Sequence, residues 1–216
     1  MRPPDHPSVS QDGLRPARPA DFPALARVAY DTGFFGASAL RYFPDEGLFA
    51  DLWVRPYLLG GLGFVAERGG EVVGSVLGTA SPVAYRRALR RLLPMLGARA
   101  LRGGYPRLAG CVPYALRVLR FQGGHAPTVQ FPAHLHLNVL EAARGSGLGA
   151  GLLDTFLAEL AGRGVRGVHL STTRVNTAAL ALYERRGFRV WAERESPLWR
   201  PWLGRDAVHV VMVRTL

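Results

Sequence analysis

The sequence predicts a mixed α/β fold, and three observations carry that reading. Strand-like and helical patterns alternate through the second half of the chain, with hairpin-like strand pairs on the flanks. The strictly alternating run HLHLNV, residues 134–139, leads into the glycine-rich stretch AARGSGLGAGLL and then into a leucine stripe of helical period. Two further strand-like runs flank Gly69-Gly70, a two-residue hairpin signal. No internal repeat and no clear boundary divides the chain, so one domain is expected over residues 13–216.

The elements follow in order. MRPPDHPSVSQDG is rich in proline and serine and lacks the apolar core of a signal peptide, so residues 1–12 read as a disordered tail. Residues 14–17 form a short strand. Residues 21–30 form a helix, with Phe22, Leu25, Val28 and Ala29 recurring near 3.6 residues. Residues 34–59 are aromatic, punctuated by proline and helical in part. Ser81-Pro82 ends the hairpin. Residues 83–126 are arginine-rich, with leucines at helical spacing broken by Pro94, Gly97, Gly103-Gly104 and Pro113. Two or three short amphipathic helices are expected there, as a surface or lid element.

In HLHLNV the alternation puts Leu135, Leu137 and Val139 on one face and His134, His136 and Asn138 on the other. Beyond the glycines, Leu148, Leu152, Leu153, Phe156, Leu157 and Leu160 form a helical stripe that Gly162 and Gly164 end. VRGVHLSTT reads as a strand and residues 176–186 as a helix closed by Gly187. FRVWAE is a strand, WRPWLG a loop, and residues 208–213 the last strand.

Composition narrows the function classes. A hydrophobic content of 48% with 20% charged residues describes a soluble globular chain, and a cytoplasmic location is the plain expectation. No apolar run approaches the ~20 residues of a bilayer span, so membrane is not expected as a partner. The single cysteine, Cys111, excludes an internal disulfide and a thiolate-rich metal site. A net charge of +11 invites a nucleic-acid reading. Against it, the chain has no lysine, no isoleucine and only two asparagines, Asn138 and Asn176. That bias suits a GC-rich coding background and solvated arginines, and no nucleic-acid motif accompanies the charge.

Both asparagines flank the glycine loop. Helix N-termini expose unpaired N–H groups and carry partial positive charge, and glycines let an anion approach the backbone. A Walker A loop needs a lysine, which this chain lacks. Gly145-Ser146-Gly147-Leu148-Gly149-Ala150 matches the dinucleotide pattern G-x-G-x-x-[GA]. The next strand, however, ends in Ser171-Thr172-Thr173 with no acid for a ribose. An NAD(P)-binding oxidoreductase is therefore the lesser alternative.

More of the chain fits a third reading. Arg144-Gly145-Ser146-Gly147-Leu148-Gly149 resembles the [RQ]-x-x-G-x-[GA] acetyl-CoA loop of the GNAT (GCN-type N-acetyltransferase) acyltransferase superfamily. VNTAALALYERRGF, residues 175–188, resembles that family's next helix, with its asparagine, its tyrosine and the closing Gly-Phe. The likeness extends over residues 134–193 in sequence and over 14–67 in layout. It implies a central, mostly antiparallel sheet with a splayed parallel strand pair, flanked by helices.

The resemblance also implies acetyl-CoA as co-substrate and a small-molecule or peptide amine as acceptor, attacking directly in a ternary complex. Backbone groups around Leu137, Asn138 and Val139 would pair with the pantetheine and polarise the thioester carbonyl. Arg144, Gly145, Ser146, Gly147, Leu148, Gly149 and Ala150 would wrap the pyrophosphate. Asn176 would contact the cofactor, cap its helix, or both. Tyr183 would hydrogen-bond or protonate the departing thiolate.

An amine acceptor needs a base, for which His134, His136, Glu67 and Glu141 are candidates. His136 is placed on the strand face expected to look into the cleft. No metal site is expected, because no clear third ligand joins the H-x-H pair. The arginines between residues 86 and 120 would favour an acidic or phosphorylated acceptor. A homodimer and a non-catalytic acyl-CoA-binding role stay open.

Overall fold

A computed structural model of the protein describes residues 13–121 and 123–216. The tail expected over residues 1–12 lies outside the described residues. In chain order, β1 (Gly13–Pro16) leads into α1 (Phe22–Asp31), α2 (Glu46–Trp53) and α3 (Arg55–Gly60). The hairpin of β2 (Leu62–Arg68) and β3 (Glu71–Thr79) follows, then α4 (Pro82–Leu101) and α5 (Leu108–Phe121). The remainder is β4 (Ala133–Val139), α6 (Leu148–Gly162), β5 (Gly167–Thr173), α7 (Thr177–Arg185), β6 (Arg189–Ser196), α8 (Arg200–Leu203) and β7 (Ala207–Thr215).

The strands form one seven-stranded sheet in the order β1-β2-β3-β4-β5-β7-β6. Gly69 and Gly70, at φ of 59° and 80°, make the β2–β3 turn, where two consecutive positive φ values match the twist of the strands. Every neighbouring pair is antiparallel except β4 and β5. That pair is brief: Ala133 aligns with Val168 and His134 with His169, and there the register ends. On its other side β4 stays paired with β3 as far as Gly74 and Val139. The sheet therefore forks, and from Leu135 onward one edge of β4 has no strand partner among the described residues.

Each face of the sheet carries its own core. On one, α6 buries Leu152, Leu153, Phe156, Leu157 and Leu160 against Val76, Leu135 and Val168, and α7 adds Leu180 and Tyr183. Full burial of each large apolar side chain stabilises by roughly 1.5–3 kcal/mol. That stripe explains why a glycine-rich segment still makes a helix. α6 ends where Gly164 turns left-handed at φ 68° and Val165 N–H reaches back to Leu160 O. On the opposite face, Leu25 and Val28 of α1 join Tyr57, Val65 and Leu77 and an aromatic group that includes Tyr42, Phe49 and Tyr114.

Residues 82–121 correct one expectation. Pro94 and Gly97 do not break the chain into short helices; α4 runs unbroken through both for 20 residues, and α5 runs through Pro113. Pro94 and Arg90 are both exposed, so water can take up the carbonyl the proline leaves unpaired. WRPWLG is likewise a helical turn, α8, closed by Gly204 at φ 73°.

Two aspartates of the α2 region fasten this helical pair to the body. Asp51 is fully buried and accepts from Arg55 at 2.6 Å, Arg99 at 2.8 Å and the Tyr105 hydroxyl at 2.8 Å. Asp45 caps α2 through Leu48 N–H and also accepts from Arg107 N–H, both at 2.9 Å.

Candidate active site

The fork between β4 and β5 opens beside the N-terminus of α6, and the two features together define the candidate site. Three of the seven α-helices with described caps start on a side chain that satisfies an orphan N–H. Asp45 does so for α2, Ser81 for α4 and Asn176 for α7. α6 does not. Its N-cap is Gly147 at φ 85°, with no side-chain hydrogen bond and no acid in the first turn. The first N–H groups of this helix have no intrahelical acceptor, which suits them to an anion.

Gly145 and Gly147 hold φ of 76° and 85°, and a Cβ added to either meets nothing within 4 Å. Backbone handedness reserves these positions for glycine, and the space in front of them is open. Ser146 hydrogen-bonds Ala143 O at 2.6 Å, which ties the loop down. Leu148, Gly149 and Ala150 form the first turn, and Gly149 lies against Val139 of β4. Arg144 reaches back across the loop instead, donating to Gly36 O at 2.5 Å and Val139 O at 3.1 Å.

β4 brings the remaining residues to the fork. Leu137 and Val139 pack toward the α6 core, and His134, His136 and Asn138 take the other face. The Asn138 side chain donates to Thr32 Oγ1 at 2.7 Å, fixing the end of β4 against α1. His136 is exposed to water yet walled by protein, with the Tyr57 ring centroid 5.5 Å away. That crowding lowers its pKa, so the imidazole is neutral near pH 7.

His134 is shielded further. The Tyr57 hydroxyl and its Nε2 share a hydrogen bond at 3.0 Å, and burial, with His136 and His169 nearby, pushes its pKa down to about 3. His169 donates from Nδ1 to Phe131 O at 2.8 Å, and burial lowers its pKa also.

On α7, Asn176 is the helix cap, its Oδ1 accepting from Ala179 N–H at 3.4 Å. Tyr183 lies one face-repeat further on, its ring buried 5.6 Å from Phe188. Burial raises the phenol's pKa, so it stays a hydrogen-bond donor. Its hydroxyl has no hydrogen-bond partner among the described residues.

Tyr57, Tyr85, His169, Thr32 and Gly36 also surround the fork, and sequence reasoning did not single them out. Tyr57, Thr32 and Gly36 come from the aromatic first third, whose contacts no periodicity reveals, and Tyr85 from the start of α4. The other two base candidates stand elsewhere: Glu67 is bound to Arg15, and Glu141 is exposed in the turn after β4. A shallow hollow lined by His125, Trp191, Glu193 and His209 lies over β6 and β7, not over the fork. Among the described residues no group of three or more His, Cys, Asp or Glu side chains is arranged to hold a metal ion.

The model of the acetyltransferase (GNAT) family matches residues 29–188. The chain belongs to that family. Solved structures share the architecture across nearly the whole chain. SsHAT is 27% identical, with a TM-score of 0.62 and coverage of 94% of this chain and 97% of that one. A GCN5-related N-acetyltransferase from Kribbella flavida is 22% identical, with a TM-score of 0.60 and coverage of 94% and 97%. YncA from Salmonella typhimurium, a putative acetyltransferase described with its cofactor acetyl-CoA, is 17% identical, with a TM-score of 0.61 and coverage of 96% and 95%. Acyl transfer is thus the general chemistry of the family to which this chain belongs.

Proposed function

We propose that this protein transfers an acetyl group from acetyl-CoA to an amine of a small molecule or peptide, by direct attack within a ternary complex. The observation that carries the reading is the uncapped N-terminus of α6 standing beside the unpaired edge of β4. One offers N–H groups for a pyrophosphate; the other offers backbone groups for the amides of a pantetheine arm. The open space before Gly145 and Gly147 fits such a ligand.

The residues then divide the work. N–H groups from Gly145 to Ala150 hold the pyrophosphate, and Arg144 adds its charge at the loop. Backbone groups of Leu137, Asn138 and Val139 align the arm and polarise the thioester carbonyl. The acceptor nitrogen attacks that carbonyl carbon from the His136 side. As the C–N bond forms, the nitrogen becomes acidic and its proton passes to neutral His136. The C–S bond breaks, and Tyr183 donates a hydrogen bond to the leaving thiolate, which takes its proton last.

Initial-rate kinetics over a panel of amines tests this. Direct attack requires reciprocal plots that intersect as acetyl-CoA and amine are varied. Parallel lines would point to an acyl-enzyme and reject the ternary complex. Binding of acetyl-CoA with no turnover of any amine would make the chain a non-catalytic acyl-CoA binder.

A further inference from the structure

The acyl-transfer reading makes no use of the outer faces of α4 and α5. From residue 72 to residue 140 the chain contains no aspartate and no glutamate, while residues 82–121 contain nine arginines. Three of the nine have side-chain partners among the described residues: Arg99 with Asp51, Arg117 with the carbonyls of Pro197 and Leu198, and Arg120 with the Phe121 ring. Arg86, Arg90 and Arg120 are exposed and form no ion pair among the described residues.

The apolar residues beside them are also unusual. α4 buries Ala88 and Leu92 and turns Arg86, Arg90, Leu93 and Leu101 outward at helical spacing. α5 buries Cys111 and Tyr114, and its opposite stripe is Leu108, Val112, Leu116 and Leu119. Leu101 is 91% exposed and Leu119 83% exposed. Scattered exposed leucines are ordinary, but a continuous helical stripe of them signals a partner.

We propose that this face rests on an anionic lipid surface. Charge decides against a second copy of the chain, because a twofold contact between these helices would set arginine against arginine, and neither helix carries an acid to answer them. Guanidinium groups at the margin of a leucine ridge suit a bilayer interface instead. Phosphates there accept from arginine, while acyl chains conform to any apolar shape. No described helix is long and apolar enough to cross a membrane, so the contact is one of lying on the surface.

The test is co-sedimentation of the full chain with phosphatidylcholine vesicles and with mixed phosphatidylcholine–phosphatidylglycerol vesicles. The protein should pellet with the mixed vesicles and not with the neutral ones. Binding should fall as salt rises and the screening length shrinks from ~10 Å at 0.1 M to ~3 Å at 1 M. Arg86→Gln with Arg90→Gln should weaken partitioning by about tenfold or more, and Leu116→Ser with Leu119→Ser should do the same. Both pairs should leave the melting temperature and acetyl-CoA binding unchanged.

Absence from the mixed vesicles, or equal binding by the variants, would overturn the proposal. So would a concentration-dependent dimer lost in Leu116→Ser without vesicle binding, which would assign the face to a second copy. Retention on immobilised polyglutamate without vesicle binding would assign it to an acidic polypeptide.

Discussion

The two faces of the sheet are held by different kinds of packing. Under α6 and α7 the core is aliphatic and regular, built from Leu152, Leu153, Phe156, Leu160 and Leu180 on two helices adjacent in sequence to the strands they cover. Over the other face, Phe34, Tyr42, Phe43, Phe49, Trp53, Tyr114, Trp199 and Trp202 form a web of edge-to-face and stacked rings. Those rings come from three segments far apart in the chain. The first face supports the glycine loop proposed to hold the cofactor, and its geometry is local. The second supports the side from which the acceptor is proposed to attack, and its geometry depends on long-range contacts that buried polar ties must fix.

The largest effect should come from cutting one of those ties. Asp51→Ala would leave Arg55, Arg99 and Tyr105 without their shared acceptor and lower stability by about 3 kcal/mol, near the low end for a buried pair because both arginines reach water. Thermal melting should show this, with acetyl-CoA affinity per folded molecule unchanged. If the affinity falls as much as the stability, the two faces are not separable.

His136→Gln should reverse that pattern. Turnover should drop by about a hundredfold with melting temperature and acetyl-CoA affinity retained, since a general base contributes at least that much. A smaller kinetic loss would move the base to another residue or to water.

Acid should act on this second face through two shielded histidines. His134 and His169 are neutral in the folded chain, with His134 held near 3, whereas an unfolded histidine titrates near 6.5. The unfolded state thus binds more protons below pH 6.5, and stability falls as pH drops from there toward 3. The loss approaches about 1.4 kcal/mol per pH unit for each such histidine. Denaturant unfolding at stepped pH measures it, and His134→Gln should flatten the slope. A flat profile between pH 6.5 and 5 would mean these rings protonate freely in the fold.

Tyr183→Phe should have the smallest effect of the four. Its ring packs on Phe188 and would stay, so stability should hold, while turnover falls about tenfold through loss of one hydrogen bond to the thiolate. An unchanged rate would leave Tyr183 as a core residue only.

The same contrast explains what could be read from the sequence. The β4–α6 unit was legible because its signals are local: strand alternation, left-handed glycines, a leucine stripe. The forked sheet came from the family resemblance, and the β4–β5 register shows it directly. Tyr57 over His136 was not legible, since residues 34–59 carry neither period. Nor was the continuity of α4, where the sequence rule for proline holds only if the freed carbonyl is shielded from water. The uses of Asn138 and Arg144 were also hidden. Their side chains bond to Thr32 and Gly36, more than a hundred residues earlier.

A thermal-shift titration with acetyl-CoA, CoA, NAD and NADP in parallel decides whether the open end of α6 holds a CoA pyrophosphate. At a hundred times its dissociation constant, a ligand bound only by the folded chain adds about 2.7 kcal/mol. In a chain of this size that corresponds to a rise of roughly 5–10 °C. Such a rise is expected with acetyl-CoA and CoA and none with the dinucleotides. No shift with either CoA form would mean that the open end of α6 does not hold a CoA pyrophosphate, and the proposed reaction would fall with it.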